Sequence, residues 1–302
     1  MASAHNGWRG DNMERWYLLT TEHLEEGLWF RDNEDFKVGM NHVAIEASRH
    51  DDVIVLAFIL MSNHVHFVLG GVMDEVTLFV EDFKSRYSMY LNKKYGVKEF
   101  LRRNDIDVQD LSYEVEALER AIAYVQMNCV AANICTHPSQ YQWGTGNVFF
   151  NATYRRGKLL AQYSGRARKR LMHSEDDSCP LGWRIGEEGY VLPEDYVHVS
   201  AVENIYRKPG RMNYFLNSSS KAKRRIENAE DKLPSFRDQV ILAALPDLCR
   251  SLFKKNSFKE LSLVEQTEFM RQIRFRFSSD INQIARVCEL SYSEAARKID
   301  SV

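Results

Sequence analysis

No stretch of this chain approaches the roughly 18 consecutive apolar residues of a membrane span, and its first 30 residues lack a basic segment followed by an apolar one. The pattern predicts neither a transmembrane helix nor a signal peptide, and therefore a cytoplasmic protein with no membrane partner. Cysteine is scarce and unpaired: Cys129, Cys135, Cys179, Cys249 and Cys288 are odd in number and contain no Cys-x-x-Cys. That spacing argues against a disulfide framework and a structural zinc cluster and predicts reduced, mostly structural thiols. No internal repeat and no low-complexity segment stands out.

What remains is an ordinary globular composition, 302 residues with 44% hydrophobic and 27% charged, enough for one large or two modest domains. The net charge of −2 conceals an asymmetry along the chain. Acid gathers early, at Glu22, Glu25, Glu26, Asp32, Glu34 and Asp35. Base gathers in three later blocks: Lys84 to Arg103, including Arg86, Lys93, Lys94, Lys98 and Arg102; Arg155 to Arg170, including Arg156; and Lys221 to Arg225. A single block reads as a solvated helix face, but two of the three are interleaved with tyrosines, a combination that suits a polyanion whose bases stack on rings.

The order of elements predicts an α+β domain. Trp16 to Thr21 reads as a strand, and Asn33 to Arg49 as a helix with apolar Phe36, Met40, Val43 and Ala44. Residues 53–69 read as one bent strand or two, followed by a helix from Asp74 to Tyr95 that Gly96 stops. Another helix runs from about Ser112 to Ala132. Strands interspersed with helices in this order predict an antiparallel sheet with helices on one face. We place the first domain at 1–150, a basic linker or arm with local structure at 151–233, and a small helical domain at 234–302.

The most informative residues are His64 and His66, within Leu60-Met-Ser-Asn-His-Val-His-Phe-Val-Leu69. Side chains on a strand alternate faces, so two imidazoles at i and i+2 point the same way from a strand whose neighbours are apolar. The bland reading is a pair of hydrogen-bonded core histidines; the chemical one is two adjacent metal ligands. A second pair of groups lies on the later helix, where Tyr124 and Asn128 at i and i+4 share one face. Hard cations such as Mg²⁺ and Mn²⁺ prefer oxygen but accept imidazole, so two histidines and an amide oxygen would leave positions for phosphate oxygens and water. Tyr87, Tyr90 and Tyr95 are followed four residues on by Leu91, Lys94 and Glu99, so none repeats the phenol-and-carboxamide pair.

This set of residues, together with Tyr141-Gln-Trp143, resembles the single-tyrosine HUH transposases of the insertion-sequence-200 type, and more closely their REP-associated tyrosine transposase branch. The resemblance covers residues 13–150. It implies a ferredoxin-like fold and a metal-dependent enzyme in the nucleoid. His64, His66 and Asn128 would hold Mg²⁺ or Mn²⁺, and Tyr124 would attack single-stranded or hairpin DNA to leave a 5′-phosphotyrosine. Relatives act as monomers or homodimers. Lys84, Arg86, Lys93, Lys94, Arg102, Arg103, Arg155 and Arg156 are the candidate DNA contacts. The chain departs from the family at Asn128-Cys129-Val130-Ala131, where Asn-Pro-Val-Lys is usual, and at Val97 to Arg103, where a Trp-Gln-x-Arg-Phe stretch is usual. Neither departure removes a proposed catalytic group. Two other classes stay open: a domesticated, catalytically silent DNA-binding regulator, and a hydrolase of small phosphodiesters, against which the lack of an Asp/Glu-rich two-metal cluster counts.

Residues 284–299 have the pattern of a helix-turn-helix, with Ala285 small, Leu290 closing the turn, Ser291 capping, and Ala295 and Ile299 inward. Its second helix would offer Tyr292, Ser293, Arg297 and Lys298 to DNA. The alternative is a plain helical bundle. Upstream, Phe269, Ile273 and Phe277 predict a packed helix with Arg271, Arg274 and Arg276 outside.

Overall fold

A computed structural model describes residues 15–21, 28–96, 105–113, 116–132, 134–151, 156–219, 238–277, 279 and 281–300. The first half is built from β1 (Arg15–Thr21), α1 (Asn33–Arg49), β2 (Ile54–Met61), β3 (His64–Gly71), α2 (Met73–Tyr95), β4 (Ile106–Asp110) and α3 (Ala117–Ala131). The strands form one antiparallel sheet in the order β2-β3-β1-β4. Residues 53–69 are thus two strands, turned over at Ser62 and Asn63. The strand β4 has no counterpart in the sequence reading, and α3 starts at Ala117 rather than near Ser112. Glu116 explains the late start, since its φ of 61° lies in the left-handed region and is incompatible with a continuing helix.

Helices cover both faces of the sheet, where the sequence predicted one. The pleat decides which side chain meets which helix. Phe67 packs edge-on against Phe79 and Phe83 of α2, whereas its neighbour His66 meets Tyr124 of α3 on the opposite face.

Local chemistry fixes the helix ends. Asp32 caps α1, accepting from the Asp35 amide, while the Asp35 carboxylate accepts from the Asp32 amide, a reciprocal box of the kind worth about 1 kcal/mol. Gly96 ends α2 with φ of 69°, as its position predicted.

The Tyr141-Gln-Trp143 tail seals the outer edge of β2. Leu60 N–H donates to the Trp143 carbonyl, Thr145 N–H to the Phe58 carbonyl, and Tyr141 Oη to the Leu60 carbonyl at 2.7 Å. Gly144 is needed at this approach, because a Cβ there would lie 2.6 Å from the Phe58 carbonyl oxygen.

Residues 157–219 carry β5 (Gly157–Leu159), α4 (Gly165–Met172), β6 (Arg184–Gly186), α5 (Val199–Tyr206) and α6 (Pro209–Ser218). Leu160, Tyr190, Val202, Tyr206 and Phe215 from this stretch are buried in the same apolar core as the sheet. The segment read as a linker is therefore packed against the first half, held by tertiary burial that its weak periodicity does not announce. Beyond it, α7 (Asp238–Phe253), α8 (Leu263–Phe277), α9 (Ile281–Val287) and α10 (Tyr292–Asp300) surround a second core that includes Phe269, Ile273, Phe277, Ala295 and Ile299. Arg276 departs from the outside position expected of it and is only 2% exposed. It sits where the helical region meets the sheet: its carbonyl accepts from Ser62 Oγ and its guanidinium donates to Asn33 Oδ1 at 2.8 Å.

No helix among the described residues is long and apolar enough to cross a membrane. All five cysteines are free, and all but Cys135 are buried.

Candidate active site around His64, His66 and Tyr124

Strand β3 delivers His64 and His66 to one face with ring centroids 4.7 Å apart, both within 5% exposure. Each ring is fixed through Nδ1. Asn63 Oδ1 lies 2.8 Å from His64 Nδ1, and Thr20 Oγ1, directly across the β1–β3 register, lies 2.8 Å from His66 Nδ1. Where these oxygens accept an Nδ1–H, each ring keeps its lone pair on Nε2, the tautomer a metal ligand needs.

Helix α3 crosses this face and brings Tyr124 beside His66, ring centroids 5.5 Å apart and planes at 86°. One turn on, the buried Asn128 donates its amide N–H groups to the Tyr124 carbonyl at 2.9 Å and the Val125 carbonyl at 3.2 Å. The amide nitrogen is thereby committed to its own helix, which leaves Oδ1 as the atom able to ligate. Two imidazoles oriented through Nδ1 and an amide oriented through its nitrogen fit a small divalent cation in chemistry.

Tyr124 also lines an open cleft of about 610 Å³. The sheet lines it with Leu18, Thr20, Asp107 and Gln109, and the helices contribute Arg120 and Tyr214. Tyr214, on α6, is 66% exposed. Sequence reasoning missed Thr20, Asp107, Gln109 and Tyr214. Asn63 was legible as the residue before His64, and the alternation Ile106-Asp-Val-Gln-Asp110 carried a period-two signal for β4. The link from Thr20 to His66 needs a strand register that no local pattern supplies.

The three tyrosines of α2 are buried or nearly so and do other work. Tyr87 Oη donates to the Trp29 carbonyl, Tyr90 Oη to Asp35 Oδ1 at 2.8 Å and Tyr95 Oη to Asp35 Oδ2 at 3.0 Å. Burial, then the Asp35 charge, pushes all three phenols above their usual range, so they stay protonated.

Three of the basic residues read as candidate DNA contacts are engaged within the fold. Lys84 is buried, Arg86 is ion-paired to Glu46 and Asp176, and Lys94 bridges Asp32 at 2.8 Å and Asp35 at 2.6 Å. Burial of Lys84 and the ion pairs of Arg86 and Lys94 give these three a structural role. Lys93 and Arg156 are exposed. Arg102, Arg103 and Arg155 lie outside the described residues, as do Lys98, the 221–225 block and Glu22, Glu25 and Glu26. In the last helix Arg297, Ser293 and Tyr292 are exposed, while Lys298 bonds Gln266. The turn into that helix passes through Glu289 at φ of 55°, a position that favours glycine, and Ser291 and Glu294 form a capping box after it.

Comparison with protein-family models, with curated proteins and with solved structures found no match to this chain.

Proposed function

We propose that this protein is a DNA-nicking and strand-transfer enzyme of the single-tyrosine HUH type, acting on single-stranded or hairpin DNA. One observation carries the reading: the Tyr124 ring and both histidines lie on the same face of the sheet, with His66 between phenol and His64. The strand order β2-β3-β1-β4, with α1 and α2 as crossovers, supports a ferredoxin-like topology.

In this reading His64, His66 and Asn128 hold a divalent cation, Mg²⁺ or Mn²⁺. Bound there, the ion supplies Lewis-acid stabilisation of the charge that grows on the phosphate. Thr20 and Asn63 hold the imidazoles in register. The Tyr124 oxygen would bond to phosphorus as the bond from phosphorus to the 3′ oxygen breaks, giving a 5′-phosphotyrosine, and the phenol proton would pass through solvent to the departing 3′ oxygen to leave a free 3′-hydroxyl. The product is again a phosphodiester, so the reverse attack rejoins DNA without ATP. The open cleft beside Tyr124 admits an extended strand, and the exposed Tyr214 offers a face on which a base can stack.

Labelled single-stranded hairpin DNA incubated with the protein and Mn²⁺ tests the proposal. A covalent adduct on a denaturing gel, lost in Tyr124→Phe, is the expected result. Full adduct from Tyr124→Phe overturns Tyr124 as nucleophile. Retarded DNA on a native gel with no adduct under any divalent ion points to the regulator, which would use the exposed Tyr292 and Arg297 of the last helix.

A further inference from the structure

On the other face of the sheet, Glu46, His50 and Asp82 bring three ligand atoms together, all within 4.8 Å of one another. Glu46 and His50 stand one turn apart at the end of α1, and Asp82 comes from α2. His50 Nε2 lies 3.2 Å from Asp82 Oδ2 and 3.8 Å from Glu46 Oε2. The spread is close to that of ligand atoms around one ion with bonds of about 2.0–2.2 Å.

Glu46 is what separates this cluster from an ordinary surface pair. Its side chain has no solvent exposure, and its Oε2, aimed at His50, is buried without a hydrogen-bond donor. The other oxygen accepts from Arg86 Nε, which fixes the carboxylate plane as an outer partner fixes a metal ligand. Arg49 Nε stands 3.7 Å from Oε2, too far for a hydrogen bond, and its guanidinium is anchored on Asp176 at 2.9 Å. A buried carboxylate oxygen left in this state costs free energy that a cation would recover. Asp82 keeps 39% of its side chain exposed and supplies the route for entry.

We propose that Glu46, His50 and Asp82 form a divalent-metal site of the zinc class, separate from the His64 and His66 pair. One imidazole and two carboxylates suit Zn²⁺ or Co²⁺ better than Mg²⁺, which favours an all-oxygen shell. Three protein ligands leave a position for water, and the ion would clamp the end of α1 to α2. This inference stands independently of the nicking reading.

The test is Zn²⁺ stoichiometry and affinity on the full-length, chelator-stripped protein, with Co²⁺ absorbance as a second readout. Four proteins are compared: the parent, His64→Gln/His66→Gln, Asp82→Asn and His50→Gln. The double variant should keep one equivalent of Zn²⁺ and a Zn²⁺-dependent rise in Tm. Asp82→Asn and His50→Gln should each weaken that equivalent at least about tenfold. Asp82 is exposed, so its variant keeps the test decisive if His50→Gln folds poorly. A double variant that binds no Zn²⁺, or an Asp82→Asn protein that binds as the parent does, overturns the proposal.

Discussion

The hydroxyl of Thr20 on β1 and Nδ1 of His66 on β3 stand 2.8 Å apart across directly paired positions of the sheet. The contact sets the ring that lies edge-on to Tyr124. Thr20→Val keeps the shape and removes the partner. We expect the proposed divalent binding at the histidine pair to weaken about 10- to 100-fold, with a stability cost of about 1 kcal/mol from the lost hydrogen bond to a fully buried ring, read by Mn²⁺ titration of a background carrying Asp82→Asn.

Neighbouring lysines at the end of α2 should behave oppositely. Lys94 neutralises two carboxylates that are almost fully buried, so Lys94→Met should cost on the order of 3 kcal/mol in urea unfolding. Lys93 is exposed. Lys93→Ala should stay within about 0.5 kcal/mol of the parent. If the proposed strand crosses here, that variant should also lower the salt slope of single-strand binding by about 0.7.

His42 provides a pH test. Burial first, then the charges of Arg86 and His173, drives its pKa down to about 3 from an ordinary 6.5. Its ring faces Tyr87 and Tyr90. Below 6.5 the unfolded chain takes up a proton that the folded chain refuses, so this stability is present above 6.5 and lost as pH falls toward 3. The slope reaches about 1.4 kcal/mol per pH unit at most. Urea midpoints for His42→Leu across that window should fall less steeply than for the parent; parallel curves would show that His42 does not titrate there.

Gly144→Ala should destabilise by about 1–3 kcal/mol, because the added methyl meets the Phe58 carbonyl oxygen rather than a yielding side chain. Thermal unfolding measures it.

Much of the N-terminal half was legible because its signals are local. The apolar run around His64, the Asp32 and Asn33 start of α1 and the Gly96 stop of α2 each declare themselves within a few residues. The convergence of His66 with Tyr124 could be proposed from i, i+2 and i, i+4 spacing, but the face of the sheet on which α3 packs depends on how the chain returns across it. Short β4 went unread because it is half polar, its Asp107 and Gln109 facing the cleft. Residues 157–219 hide their structure for a related reason: their helices are only 8 to 10 residues long, and burial rather than propensity stabilises them. Within the basic blocks, a run of lysine and arginine does not reveal which members meet a carboxylate from elsewhere, as Arg86 and Lys94 do.

Leu28, far upstream in the chain, is buried in the apolar cluster of the C-terminal helices, and Arg31 pairs with Asp247 at 3.3 Å. The terminal helices expressed alone would therefore lack a side chain that completes their interior. A chain severed between Ser219 and Asp238 would yield two fragments that remain associated, joined by Leu28, the Arg31 pair and the Ser62 to Arg276 bond just ahead of His64.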